Sequence, residues 1–326
     1  MTGKALRITL WCALLATFGP CWQSSVHAQG FPAKAIRIIV PYTPGGTSDI
    51  LARLIGTRLA ESWGYPAIVD NRTGASGIIG AEMTARAAPD GYTLLLTDIG
   101  NFAISAVVFS KLPFDIMRDF TPVMTLSYSP HLLVTHPSVP ARTTRELIAI
   151  ARAHPGKLNF PIPLGGASHL AGLMFEQQTG IKWVYIPTKG GSQAVYAIAT
   201  GDGDVMFLGM LQTLPHVKLG RLRLIAVSSE QRLASLPEVP IVGETLPGFV
   251  TGSWQGILAP ARTPSEVIAR ISAEVGRILK SSEVRDVLMS QGTTPQVTGS
   301  AETSRWLAAE KERWATVVRV SGFKIE

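Results

Sequence analysis

Two short glycine-containing stretches stand where the sequence passes from an apolar segment into a helical pattern. The first is Gly45-Gly46-Thr47-Ser48, and the second is Gly165-Gly166-Ala167-Ser168, followed by His169. The first backbone N–H groups of a helix have no partner within the helix and lie at the positive end of its dipole. Glycine lets an anion approach that backbone closely. The two corners therefore predict sites for the two ends of one small anion.

Both corners also have an interpretation without a ligand. Glycine at a strand-to-helix turn serves turn geometry, and Thr47 or Ser168 can act as a helix N-cap. We expect Asp49, in the first helical turn, to cap the helix or to pair with its dipole. A carboxylate there disfavours phosphate, and the phosphate-binding pattern with its lysine is absent from the sequence. A ligand carboxylate is the anion that fits better.

The other reactive side chains form no recognisable catalytic or metal-binding motif. The sequence has no His-Glu-x-x-His pattern, no Gly-x-Ser-x-Gly elbow and no Gly-x-Gly-x-x-Gly fingerprint. Ser168 beside His169 is adjacency in sequence, which does not make a catalytic triad. We therefore predict no enzyme activity, no metal and no cofactor.

Alternating strands and helices must position the two corners. From Phe31 onward, short apolar runs alternate with helical patterns, which indicates βα units and largely parallel sheets. We expect a helix from about Thr47 to Trp63, ended by Gly64 in the left-handed conformation. Thr143 and Glu146 form a capping box for a later helix. Two βα sets without a flexible connector predict two lobes joined by hinge strands, with a cleft between them.

The first 28 residues have the features of a secretory signal peptide. Lys4 and Arg7 precede a short apolar run, and Val26-His27-Ala28 puts small residues where signal peptidase needs them, so we expect cleavage after Ala28. Both cysteines, Cys12 and Cys21, lie in this leader, which leaves the mature chain without a thiol. The leader predicts a periplasmic protein. The net charge of +7 comes from scattered basic residues, so we predict no nucleic-acid partner.

Long stretches of the chain resemble the Bug-type periplasmic solute-binding proteins, the extracytoplasmic receptors of tripartite tricarboxylate transporters. The similar stretches are FPAKAIRIIVPYTPGGTSDILARL, IVDNRTGASGIIGAE, APDGYTLLLT, HPSVPARTTRELIAIARAHPGKLNF, SHLAG, GDGDVMF, LPHVKLGRLRLIAVSS and LPEVPIVGE. They span nearly the whole chain from Phe31. The resemblance implies a receptor for a small, usually carboxylated solute, with membrane permease subunits as partners. A receptor that reports to a sensor kinase, or a periplasmic enzyme using the same cleft, is the alternative function.

The resemblance also implies the fold and its division. The expected class is α/β, a two-lobed periplasmic-binding-protein fold of type II-like architecture, with two mixed, mostly parallel sheets joined by crossing hinge strands. The expected first lobe comprises residues 29–127 and 254–326, the second lobe comprises residues 128–253, and the ligand lies between them.

Ligand-binding positions follow from the same resemblance. In this family the first βα loop and the loop before a His-Leu pair hold a carboxylate through main-chain N–H groups and ordered waters. The loop after the third strand, here Thr97 to Asn101, and a Lys-Gly loop complete the pocket. The candidate residues are Tyr42, Gly45, Gly46, Thr47, Ser48, Asp49, Thr97, Asp98, Gly165, Gly166, Ala167, Ser168, His169, Lys189 and Gly190.

Two departures from the family pattern concern the ligand. The second loop, FPIPLGGASHL, has fewer serines than is typical, and Pro161 and Pro163 cannot donate from the backbone, so recognition at this corner is expected to be altered. Asp98 stands where the family often has a neutral residue. It either pairs with an ammonium or amide group or is a solvated loop carboxylate. His169 either donates to a ligand carboxylate or packs its own loop.

Overall fold

The structure describes the chain from just after the predicted signal peptide almost to its end. The computed structural model covers residues 30–290 and 292–321, and the signal peptide predicted at residues 1–28 lies outside the described residues. From Pro32 onward the described residues form one compact unit. Within the described ranges, no helix combines the length and the apolar character that a membrane span requires.

Three consecutive βα units open the fold, of which the sequence pattern predicts the first two and the third strand. Their elements are β1 (Ile36–Val40), α1 (Thr47–Trp63), β2 (Ala67–Asn71), α2 (Ile78–Ala85), β3 (Thr93–Asp98) and α3 (Ile99–Val108). The bounds of α1 are those predicted, and Gly64 ends it with a left-handed φ of 73°. Helix α3 departs from the sequence prediction, which has a loop from Thr97 to Asn101.

A long strand then leads into a second set of units. The elements are β4 (Phe120–Thr135), α4 (Thr144–Ala153), β5 (Asn159–Ile162), α5 (Ala167–Thr179), β6 (Val184–Pro187), α6 (Gly191–Thr200), β7 (Val205–Gly209), α7 (Met210–Lys218) and β8 (Arg223–Val227). The chain returns through β9 (Gly252–Pro260) and ends with α8 (Ser265–Lys280), α9 (Ser282–Ser290), β10 (Thr294–Thr298) and α10 (Ser300–Ser321).

Strand β4 connects two regions of sheet. Residues 120–130 of β4 pair with β9, which continues through β3 and β1 to β2, and β10 pairs on the other side of β4. Residues 131–135 pair instead with β7 and β8. The segment that enters β9 crosses beside β4, since the backbone of Thr251 bonds that of both His131 and Ser228. Strand β4 and this segment are therefore the two predicted crossing strands.

The sheets are mixed, but their parallel share is smaller than the sequence predicts. The parallel pairs are β1 with β2, β1 with β3 and β5 with β6. Every antiparallel pair among the described strands involves β4 or β9. These two strands are antiparallel to each other, and each of their other described neighbours also pairs with antiparallel polarity. The local βα pattern carries no information about this long-range pairing.

Separate hydrophobic cores lie on the two sides of the crossing. One core contains the buried rings of Phe102, Phe114 and Phe120, whose centroids lie 5.0–5.7 Å apart. Another core packs Phe207 against Phe175 and Phe249, at 5.7 Å and 5.2 Å. The first core belongs to a lobe built around β1–β3, and the second belongs to a lobe built around β5–β8. The architecture is the predicted two-lobed α/β fold.

The capping box predicted at the start of α4 gives a test of how local sequence sets this fold. Thr143 Oγ1 accepts the N–H of Glu146 at 3.1 Å. We expect Thr143→Ala to lower the free energy of unfolding by about 1 kcal/mol, because a helix N–H loses its partner. Urea denaturation measures the change, and Thr143→Ser, which keeps the hydroxyl, is the control. Equal stability of the two variants would contradict the cap.

Candidate functional site

Five helices begin at residues that line one cleft, which has about 510 Å³ of empty space, part of it open to solvent. The lining residues at these helix starts are Gly46, Thr47 and Ser48 of α1, Asp98 and Asn101 of α3, Gly166 and Ser168 of α5, Gly191 of α6, and Gly209 and Gln212 of α7. No lysine or arginine is among the described residues that line this cleft. Its positive potential therefore comes from helix N-termini.

The first predicted corner presents uncapped helix donors to the cleft. Gly45 has a left-handed φ of +79°, which turns the chain into α1. Gly46 is the N-cap and supplies no side-chain hydrogen bond. Thr47 lines the cleft, and its Oγ1 is buried without a hydrogen-bond partner among the described residues. A buried hydroxyl without a partner costs free energy, so Thr47 marks a position where a polar ligand atom is favoured.

The second predicted corner has the same design. Gly165 has a φ of +75°, and Gly166 is an N-cap without a side-chain bond at the start of α5. Gly166 and Ser168 line the cleft. Pro163 lines the cleft as well and has no backbone N–H to donate.

Side-chain amide oxygens from across the cleft already accept from both corners. The N–H of Thr47 donates to Gln212 Oε1 of α7 at 3.2 Å. The N–H of Ala167 donates to Asn101 Oδ1 of α3. Each bond joins the two lobes and places an oxygen acceptor directly before a helix start. The backbone donors of both corners are thus directed across the cleft and bind oxygen.

A chain of hydrogen bonds forms the floor of the cleft on β9. Ser48 Oγ donates to Gln255 Oε1 at 2.6 Å, and Gln255 Nε2 donates to Ser253 Oγ at 2.8 Å. Ser253 in turn donates to Asp98 Oδ2. Ser253 and Gln255 alternate with Trp254 along the strand, which puts both polar side chains on the cleft face. The floor ties α1, β9 and α3 together.

Asp98 is a buried helix cap, and its interpretation as a solvated loop carboxylate is wrong. It is only 6% exposed, and its Oδ1 accepts the N–H of Asn101 at the start of α3. Burial raises the pKa of Asp98 to about 6, against the lowering effect of bonds from Ser253 and from the N–H groups of Asn101, Trp254 and Gly100. These four donors match the roughly four acceptor positions of a carboxylate. Little capacity remains for a ligand ammonium group.

Tyr42 stands beside Asp98 at the inner end of the cleft. Its hydroxyl accepts from Thr97 Oγ1 at 3.3 Å, and burial together with the charge of Asp98 raises the pKa of Tyr42 to about 12. The phenol therefore stays neutral at ordinary pH. Thr97 itself is buried and lines, together with Tyr42, a second small pocket.

Several predicted residues shape the loops without lining the cleft. Asp49 accepts from Gly45 N, Arg53 and Asn71; burial would raise its pKa, but these bonds hold the pKa below the usual value. His169 accepts from Gly165 N at 3.2 Å and packs its ring against Tyr185, and burial lowers its pKa to about 4. His169 thus packs its own loop in this structure.

The Lys189-Gly190 loop also lies outside the cleft lining. Lys189 is exposed. A Cβ at Gly190 would come within 2.4 Å of Thr43 Oγ1, so glycine there allows α6 to approach the first corner. The neighbouring Ser192 bonds the hydroxyl of Thr43 at 2.6 Å. This loop therefore contributes contacts between the lobes.

Four further residues line the cleft that the sequence does not predict as site residues: His131, Gln212, Ser253 and Gln255. Ser253 and Gln255 could have been predicted, because they are alternate polar residues in an otherwise apolar strand, a pattern that indicates one polar face. His131 is a single polar residue in the apolar run Pro130-His131-Leu132-Leu133, a pattern that does not distinguish a cleft from a core. In the described part of the chain, no three His, Cys, Asp or Glu side chains are grouped as a metal site requires.

Comparison with known proteins decides the family. The family model described as the tripartite tricarboxylate transporter family receptor matches residues 51–323. The chain belongs to this family. It is 35% identical over 304 residues to protein BugT of Bordetella pertussis, covering 92% of this chain and 93% of that protein.

Solved structures of receptors with the same fold include two with bound acids. The structure of Rhodopseudomonas palustris Rpa4515 with adipate is similar at a TM-score of 0.88 and 32% identity, covering 90% of this chain and 99% of that one. MatC from Rhodopseudomonas palustris with bound malate is similar at a TM-score of 0.84 and 30% identity, covering 88% of this chain and 100% of that one.

The buried Asp98 gives this receptor a pH dependence that can be measured. Its pKa is higher in the folded protein, about 6, than the ordinary 3.8, so the folded state binds more protons between these values. The contribution of Asp98 to stability must therefore fall as the pH rises from 4 to 7. We expect a loss of about 2–3 kcal/mol relative to Asp98→Asn, whose amide does not titrate.

Urea denaturation of both proteins at pH 4, 5, 6 and 7 measures this difference. Asp98→Asn is expected to be less stable at every pH, because its amide NH₂ faces several donors. The readout is therefore the change in the difference between the two proteins with pH. A difference that stays constant from pH 4 to pH 7 would show that folding does not raise the pKa of Asp98.

Proposed function

We propose that this receptor binds a small carboxylate between its two lobes and presents it to the permease subunits of a tripartite tricarboxylate-type transporter. The observation that carries the proposal is the convergence of helix starts on a cleft without a cationic side chain among its described lining residues. Helix N-termini stabilise an anion through backbone N–H groups and the helix dipole. The partial positive charges of these helix starts suit an anion of low charge density, such as a carboxylate.

The relatives support carboxylate as the ligand class. Two similar structures are described with adipate and with malate, which are both dicarboxylic acids. In this chain the donors at Thr47 and Ala167 belong to different lobes and already face oxygen acceptors. A molecule with acidic groups at both ends would replace these acceptors and join the lobes directly.

We propose that ligand binding controls closure of the lobes. The proposed division assigns residues 29–127 and 254–326 to the first lobe and residues 128–253 to the second. The described parts of the two lobes meet where the chain crosses through β4 and β9, at side-chain bonds over the cleft such as Ser76 Oγ to Leu164 O at 2.9 Å, and in a hydrophobic cluster. This cluster packs Ile104 and Trp314 of the first lobe against Leu170 of the second. A bound ligand adds donors and acceptors that are available only when the lobes are together, so it favours the closed state.

The proposed location is the periplasm, after removal of a signal peptide at Ala28, where a permease could recognise the closed receptor. We further propose that the cleft binds its ligand without converting it. Native mass spectrometry of purified protein before and after incubation with malate or adipate tests this, since an unchanged acid supports binding and a converted one supports an enzyme.

Gly209 provides a direct test of the cleft. Its φ of −58° is open to any residue, but a Cβ there would lie 3.2 Å from Thr47 Oγ1. We expect Gly209→Ala to place a methyl group at the carboxylate site and to abolish the thermal stabilisation that the wild type gains from its best ligand among succinate, malate, glutarate and adipate. The melting temperature without ligand should change little.

Gly299→Ala is the matched control, because its Cβ would meet no atom within 4 Å. This control should keep the full ligand response. Retained stabilisation in Gly209→Ala, at the same ligand concentration as in the wild type, would mean that the acid binds elsewhere.

A further inference from the structure

A histidine lies buried where the two crossing strands meet the cleft. His131 is the residue at which β4 stops pairing with β9 and begins pairing with β7, opposite Gly209. It is only 1% exposed, and it lines the cleft. Nothing in the family resemblance assigns a role to this position.

The surrounding hydroxyl groups fix which nitrogen of His131 carries the proton. Ser228 Oγ donates to a backbone carbonyl oxygen, that of Thr251 at 2.7 Å or that of His131 at 3.0 Å. A carbonyl oxygen can only accept, so the single proton of Ser228 is used there. The contact of 2.9 Å between Ser228 Oγ and Thr251 Oγ1 must therefore use the proton of Thr251. Thr251 Oγ1 is then left as the acceptor for His131 Nδ1 at 3.1 Å. The ring is protonated on Nδ1.

The other ring nitrogen is consequently an acceptor. Burial lowers the pKa of His131 to about 3, so the ring stays neutral at ordinary pH. A neutral imidazole with its proton on Nδ1 has a lone pair on Nε2. Since Thr251 takes Nδ1, Nε2 is the nitrogen available to the cleft.

Other acceptors along the cleft are already engaged. Asp98 receives its four donors, and Gln255 Oε1 receives Ser48 Oγ. The start of α1, by contrast, offers a donor: a Cβ on Gly209, the strand partner of His131, would lie 3.2 Å from the hydroxyl of Thr47. That hydroxyl has no hydrogen-bond partner among the described residues. A carboxylate oxygen is favoured at Thr47 and disfavoured at the lone pair of Nε2.

We propose that the carboxylate bound by this receptor also carries a hydrogen-bond donor, a hydroxyl or an ammonium group, and that His131 Nε2 accepts from it. This inference rests on the proposed carboxylate receptor function and narrows its ligand class. His131 is on this account a specificity-determining residue, which separates substituted acids from unsubstituted acids of the same length.

Two substitutions separate the roles of the ring nitrogens. His131→Asn keeps an amide N–H near the Nδ1 position for Thr251 and removes the acceptor at Nε2. His131→Gln extends to the Nε2 position and supplies an oxygen acceptor there. The probes are succinate, malate and aspartate, and their five-carbon counterparts glutarate, 2-hydroxyglutarate and glutamate, with affinities measured by calorimetry.

We expect the wild type to bind a hydroxylated or aminated acid more tightly than the unsubstituted acid of equal length. His131→Asn should lower that preference about tenfold, and His131→Gln should keep most of it, as one lost hydrogen bond to a buried acceptor predicts. A gain for malate over succinate identifies a hydroxyl, and a gain for aspartate identifies an ammonium group.

Two results would overturn the inference: equal affinity of the wild type for substituted and unsubstituted acids, or a preference that His131→Asn leaves unchanged. Failure of the proposed function looks different, because then no acid of either series binds the wild type. Circular dichroism and thermal unfolding of each variant show whether it is folded. If His131→Asn does not fold, the comparison of substituted with unsubstituted acids on the wild type still tests the inference, because equal affinities would overturn it.

Discussion

The site depends on one constraint: helix starts that lack side-chain caps converge on a cleft to which no described lysine or arginine contributes. Glycine at Gly46 and Gly166 leaves backbone N–H groups of α1 and α5 without a side-chain cap, whereas Thr143 caps α4 in the conventional way. A glycine in place of a capping side chain costs the isolated helix only a few tenths of a kcal/mol. That cost is offset when an oxygen acceptor approaches from across the cleft, so the same groups that weaken each helix start favour ligand binding and lobe closure.

Hydrogen bonds along the floor of the cleft connect the start of α1 in one lobe to the start of α5 in the other. A hydrogen-bond chain runs from Ser48 through Gln255 and Ser253 to Asp98, which caps α3. Helix α3 in turn presents Asn101 to the first N–H of α5 in the other lobe. A ligand that contacts the starts of α1 and α5 therefore acts at both ends of one hydrogen-bonded network. Burial of the Asp98 carboxyl is the cost of this arrangement and makes stability depend on pH.

Local signals predicted the parts of the structure that local chemistry determines. The bounds of α1, the left-handed Gly64, the cap at Thr143 and the two glycine corners follow from propensities within a few residues. Helix α3 was not predictable in this way, because its sequence, IGNFAISAVV, is apolar nearly all round. The floor and His131 depend on strand pairing over long separations, such as the 207 residues between Ser48 and Gln255. No periodicity within one segment reports such pairing, and this is also why the antiparallel share of the sheets exceeded the prediction.

The most direct test of the central claim is a crystal structure of the receptor with the carboxylate that stabilises it most. The account predicts carboxylate oxygens within about 3 Å of Thr47 Oγ1 and of main-chain N–H groups at the starts of α1 and α5, in place of the amide oxygens of Gln212 and Asn101. No lysine or arginine side chain should contact the acid. A ligand whose carboxylate pairs with a cationic side chain, or that lies away from both helix starts, would contradict the account.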